Sequence, residues 1–67
     1  MYYLLDLERT IGIGRTFYWK PNLHGYTTIL DDAGLFTESQ AKKIIDLDFD
    51  KRTVMIHEDV VKKILKG

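Results

Sequence analysis

Arg15-Thr16-Phe17-Tyr18-Trp19-Lys20-Pro21-Asn22-Leu23-His24-Gly25-Tyr26-Thr27-Thr28 reads as strand, turn, strand. Thr, Phe, Tyr and Trp favour a pleated, half-buried surface, so Arg15 to Lys20 has strong β character. Pro21 presets φ and Gly25 is free to take positive φ, so Pro21 to Gly25 forms the turn. Tyr26-Thr27-Thr28 resumes a short strand. Upstream, Tyr2 to Leu7 is another strand candidate, dense in aromatic and aliphatic residues. Glu8 to Gly14 (ERTIGIG) holds two glycines and predicts a loop or a wide hairpin connection. These first three strands are expected to form an antiparallel meander.

Downstream the texture changes. Leu30 to Gly34 suggests a helical turn stopped by Gly34. Thr37-Glu38-Ser39-Gln40 matches a capping box, with Thr37 capping the amide three residues on and Gln40 reaching back. The helix that follows, Glu38 to about Asp46, should bury Ala41, Ile44 and Ile45 and expose Lys42 and Lys43. Arg52 to His57 reads as a fourth strand and Glu58 to Lys66 as a last helix with Gly67 as its stop. Val60, Val61, Ile64 and Leu65 fall on one stripe of that helix. Glu58 and Asp59 lie at its positive end and the lysines towards its negative end, as the helix dipole favours.

The order β-β-β-α-β-α predicts an α+β fold: a small antiparallel sheet of three to four strands with two helices packed on one face. The expected core is Tyr3, Leu5, Leu7, Phe17, Trp19, Ile44, Ile45, Phe49, Val54, Ile56, Val61 and Ile64. Tyr2, Leu4 and Met55 would form an apolar patch that implies association if they lie on the outer face of the sheet.

Composition narrows the function. A chain of 67 residues makes one domain at most, with a small core. It has no cysteine, which excludes disulfides and thiolate metal sites, and its two histidines make a poor basis for any other. A compact core, or self-association as a homodimer, is the remaining route to stability. No stretch approaches the ~20 apolar residues of a membrane span, and Met1 to Asp6 lacks the pattern of a signal peptide. The expected setting is cytoplasmic. Ten Lys/Arg balance ten Asp/Glu, and this zero net charge disfavours a general nucleic-acid binder.

Asp46-Leu47-Asp48-Phe49-Asp50 places three carboxylates at alternate positions, as at the start of an EF-hand loop. The match fails at Lys51, where that loop needs glycine, and at His57, where it needs a bidentate Glu. The alternation instead predicts a segment with Leu47 and Phe49 inside and the three Asp in water. Gly12-Ile13-Gly14 lacks the third glycine of a phosphate loop, since Phe17 stands there, and no helix start follows. No nucleophile constellation stands out, and His57 is placed for helix-start duty. So short a chain has little volume for a supported catalytic pocket. No enzyme activity, cofactor or metal is expected.

The aromatic-basic stretch is the strongest binding candidate. Alternation puts Phe17 and Trp19 on one face and Tyr18 with Lys20 on the other. With Phe17 and Trp19 inside, the expected partner surface is Arg15, Tyr18, Lys20, His24 and Tyr26. Trp, Tyr and Arg are typical of protein–protein hot spots, and aromatics with basic residues also stack single-stranded nucleic acid. An ordinary strand whose outer aromatics pack across the sheet would look the same. On this reading Tyr18→Ala weakens partner binding with little loss of stability.

The middle of the chain resembles a pattern found in small uncharacterised phage and prophage proteins. Trp19-Lys20, Gly25-Tyr26-Thr27, Ala33-Gly34, Phe36-Thr37 and Ala41 carry it, and the flanks lie outside it. Each position has a folding job: turn glycine, helix-stop glycine, helix cap, and a small residue where helix meets sheet. The resemblance therefore implies a shared module and brings no catalytic residues. It also implies a small accessory protein that binds, and in some cases inhibits, a bacterial host or defence protein. The alternatives are a nucleic-acid or nucleotide binder using the same surface with Lys42 and Lys43, and a small structural or assembly subunit.

Overall fold

The computed structural model describes residues 1–65, the last of them by its backbone alone. The elements in chain order are β1 (Tyr2–Asp6), α1 (Leu7–Ile13), β2 (Tyr18–Trp19), β3 (Tyr26–Thr27), α2 (Glu38–Asp46), β4 (Thr53–His57) and α3 (Glu58–Val60). Single 3-10 turns at Pro21–Leu23 and Leu30–Asp32 sit in the connections. The expected α+β class and antiparallel sheet are found. The four strands run in the order β3-β2-β1-β4.

Strand β1 organises the sheet. It pairs with β4 over its whole length, from Tyr2 opposite His57 to Asp6 opposite Thr53. On its other side Leu5 faces Tyr18 of β2, and Phe36 bridges to Tyr2 where β2 has ended. Tyr3, Leu4, Leu5 and Asp6 are all buried in succession, so both faces of the strand are covered. On the first face Tyr3, Leu5 and Tyr18 pack with Val61, flanked by Leu30, Val54 and Ile56. On the second, Leu4, Phe36 and Ala41 pack together, with Tyr2, Trp19, Ile44, Ile45 and Met55 around them. The second face is the inner side of α2, and the first is covered by the segment after β4. The two helices expected on one face thus divide between the two faces. Tyr2, Leu4 and Met55 share the face under α2, so they form no outer patch.

A third helix, α1, occupies Leu7–Ile13 where a loop was expected. Its signals lie in its caps. The Asp6 carboxylate accepts the Arg9 amide at 3.0 Å. Gly14 closes the far end at φ +81°, donating its N–H to the Thr10 carbonyl. No residue of α1 is buried, so it has no apolar face to read. Because Gly12 and Gly14 lie at the helix C-terminus, the local dipole opposes a phosphate there.

Helix α2 follows its sequence signals closely. Thr37 accepts the Gln40 amide at 3.1 Å, and Gln40 accepts the Thr37 amide at 3.0 Å. The turn after it departs from expectation. Leu47 caps α2 and the chain then folds back through Asp48 to Lys51, so the alternation of a strand never applies. Phe49 is consequently 94% exposed and Leu47 68% exposed, while Asp48 is half-buried. Leu7 and Ile64, also expected inside, are exposed, and Phe17 is half-buried. At the start of α3, His57 Nδ1 accepts the Asp59 amide at 3.1 Å, the helix-start role read from its position. After three residues α3 widens to π geometry over Val61–Leu65, which leaves Val61 fully buried and Ile64 outside the stripe. The Leu65 side chain, Lys66 and Gly67, expected on the stripe, towards the negative end of the helix and as its stop, lie outside the described residues.

Candidate functional site

The register of the β2–β3 hairpin brings two half-buried aromatics together. Trp19 lies directly opposite Tyr26, and their rings stand 4.2 Å apart at 41°. Such cross-strand aromatic pairs stabilise short hairpins. Arg9, projecting from α1, lies over the Tyr26 ring at 4.3 Å, a cation–π contact that ties the helix to the hairpin. The Trp19 indole nitrogen is buried and no protein acceptor reaches it.

Arg52, immediately before β4, stands beside this stack. Its Nη1 lies 3.1 Å from Glu8 Oε2 and 3.8 Å from Asp50, and its Nε is 3.7 Å from Asp6 Oδ2. The hydrogen bond and charge of Glu8, with the weaker charge of Asp6, push the guanidinium pKa up from its ordinary value. Asp48 braces the same corner. Its Oδ2 accepts the amides of Thr53 at 2.9 Å and Arg52 at 3.2 Å, and its Oδ1 accepts the Asp50 amide at 3.3 Å. Hydrogen bonding by Thr53, followed by these backbone amides, holds the Asp48 carboxyl below the usual range. Both of its oxygens are thereby committed to the turn. Among the described residues no three His, Asp or Glu side chains converge on a point.

Between these parts lies a cleft of about 340 Å³, with Trp19 and Tyr26, Leu23, Ile44, Leu47 and Arg52 among its lining residues. A second cleft of about 300 Å³ shares Leu23 and Ile44 and continues along α2 past Phe36, Gln40 and Lys43. Leu23 therefore stands between the two. Its φ is +59° and that of Asn22 is +58°, a conformation that costs a non-glycine residue about 1–2 kcal/mol. The surrounding contacts hold it there. Lys20 donates to the Gly25 carbonyl at 2.8 Å, and the Leu23 amide to the Lys20 carbonyl at 3.1 Å. Beneath the turn sits Gly34, where a Cβ would lie 2.9 Å from the Pro21 backbone. Gly34 is thus required by close approach and not as a helix stop.

The sequence-derived surface does not assemble as one patch. Tyr18, only 4% exposed, belongs to the core on the opposite face from Tyr26, packed 5.7 Å from the Tyr3 ring. Its expected exposure is overturned because the face away from α2 is also covered, with Val61 packed in the same cluster. Arg15, Lys20 and His24 are exposed, but none of them lines either cleft. Tyr26 alone of the five lies in the cleft. Leu23, Ile44, Leu47 and Arg52 join it there and were not among the expected surface residues. The placement of Trp19 and Tyr26 on either side of the Pro21–Gly25 turn was the available signal, because residues paired across a hairpin share a face.

Compared with protein-family models, with curated proteins and with solved structures, the chain matches none. No helix among the described residues is long and apolar enough to cross a membrane.

Proposed function

We propose that the chain is a small non-catalytic binding protein whose adjoining clefts take an apolar segment of a bacterial protein. The observation that carries this reading is the cleft built from Trp19, Tyr26 and Arg52 with Leu23, Ile44 and Leu47 on its rim. Trp, Tyr and Arg surrounded by aliphatic side chains are the composition of protein hot spots. Phe49 projects from the turn that follows Leu47, a further exposed anchor. The titratable groups at the cleft serve structure: Asp48 holds backbone amides and Arg52 holds three carboxylates. The role as a phage or prophage accessory protein, acting on a host or defence protein inside the bacterium, rests on the Trp19 to Ala41 pattern alone.

The test is capture from a bacterial lysate by the immobilised chain, read by mass spectrometry, with Leu47→Glu and Phe49→Ala as paired variants. Both positions are exposed, so the fold should tolerate either change. A protein retained by the wild type and lost from both variants supports the reading. Equal retention by the variants refutes it, as does capture of nucleic acid alone with affinity that falls steeply as salt rises.

A further inference from the structure

The sheet has two edges, the two-residue β3 and the five-residue β4, and β4 is the longer. Residues of β1 with odd numbers turn their backbone groups to β4, as the Leu7 amide does in donating to the Arg52 carbonyl at 2.7 Å. Those with even numbers turn towards β2 and Phe36, as the Asp6 and Tyr2 amides do. In β4 this alternation points Arg52, Val54, Ile56 and Glu58 inwards and leaves Thr53, Met55 and His57 facing out. Asp48 occupies the Thr53 amide. The Thr53 carbonyl, both backbone groups of Met55 and the His57 amide find no strand partner among the described residues, while the His57 carbonyl faces α3 as its N-cap. Natural edges are blunted by charge, proline, bulges or brevity. Over Thr53-Val54-Met55-Ile56-His57 none of these devices is present.

The flanks of this strand are charged in a self-complementary order: Lys51-Arg52 before it and Glu58-Asp59 after it. We propose that the chain forms a twofold dimer by antiparallel pairing of β4 with β4 of a second copy, centred on Met55. In that register Met55 exchanges hydrogen bonds with its own counterpart, and the His57 amide donates to the Thr53 carbonyl across the axis. Val54 stands opposite Ile56, the close non-hydrogen-bonded kind of pair, extending the apolar cluster of one face into the next molecule. Arg52 falls opposite Glu58, and just beyond the paired strands Lys51 in the preceding turn and Asp59 in the first turn of α3 come to the same ends, cation near anion. Among the described residues Lys51 makes no ion pair, and Asp59 meets only His57. A parallel pairing would set Lys51 against Lys51 and Asp59 against Asp59, so the charges also fix the direction. Zero net charge adds no repulsion between copies. The resulting sheet runs β3-β2-β1-β4-β4-β1-β2-β3.

The test is analytical ultracentrifugation over a range of concentrations, with circular dichroism to confirm folding. The wild type is expected to dimerise. Lys51→Asp is tolerated at φ +54°, where Asp is at ease. It sets like charges together at both ends, and Asp59→Lys does the same. Each variant should weaken the dimer on the order of tenfold or more, and the double variant should restore it. Hydrogen exchange on the wild type supplies a reading free of any variant. The Met55 and His57 amides should exchange slowly when concentrated and fast when dilute. A monomer at every concentration overturns the proposal. So does a dimer that ignores both charge changes, or one in which those two amides stay unprotected.

Discussion

Replacing Tyr18 by alanine separates the two-faced sheet from a one-faced sheet. Tyr18 is 4% exposed, packs 5.7 Å from the Tyr3 ring and shares a cluster with Leu5 and Val61. Truncating a buried aromatic to alanine costs about 3–5 kcal/mol, because the ring's transfer energy is lost and a cavity remains. At roughly 0.05–0.15 kcal/mol per residue, a 67-residue chain has only about 3–10 kcal/mol of stability in all. At about 4–8 °C per kcal/mol for a domain this small, Tm should fall by about 12 °C or more. Thermal unfolding followed by far-ultraviolet circular dichroism reads this, with Tyr18→Phe as the control that keeps the ring. Burial, and then the neighbouring Tyr3, push the Tyr18 phenol up from its ordinary value. The neutral form is therefore favoured in the folded chain. Its contribution is full below about pH 10, the unfolded value, and declines as pH rises towards the folded one. The phenylalanine variant should lose that alkaline component. A fall in Tm of less than a few degrees for Tyr18→Ala would refute the two-sided core, and with it the assignment of Tyr18 to the face opposite Trp19 and Tyr26.

Two further changes probe the cleft's supports. Gly34→Ala places a methyl 2.9 Å from the Pro21 backbone. A destabilisation of about 1–3 kcal/mol is expected from such overpacking, with altered Trp19 fluorescence as the Pro21–Gly25 turn shifts; unchanged fluorescence and urea midpoint would contradict the close approach. Asp48, whose carboxyl is held below the usual range by Thr53 and by backbone amides, stabilises the folded chain above the unfolded Asp value of about 4. That contribution disappears as pH falls through the folded value. In urea titrations repeated from pH 6 downwards, Asp48→Asn should show a shallower acid decline than the wild type, and parallel curves would count against the bracing role.

What the chain reveals in advance follows from how local each signal is. The Thr37–Gln40 capping box and the His57 cap need only neighbouring residues, and both are legible. Strand β4 was legible from its β-branched and aliphatic run. Helix α1 was hidden because it buries nothing: Ile11 and Ile13 lie in solvent, so only Asp6 and Gly14 mark it. Alternation misled at Tyr18 because it sorts residues by face but cannot tell that both faces are covered. It failed again at Leu47 to Asp50, where a tight turn stands in place of a strand and Asp48 turns inwards to hold it. The cleft itself required tertiary placement. Leu23, Ile44 and Arg52 come from three separate segments, and no spacing in the chain links them.

The cleft as a protein-binding site is tested by titrating a protein captured from lysate into the isotope-labelled chain and following both backbone amides and the Trp19 indole signal by NMR. The indole N–H and the amides of Leu23, Tyr26, Ile44, Leu47 and Arg52 should shift together and saturate at one ratio. Shifts confined to Tyr18's face of the sheet, to Arg15, or to residues remote from Trp19, with the indole signal unmoved, would contradict it.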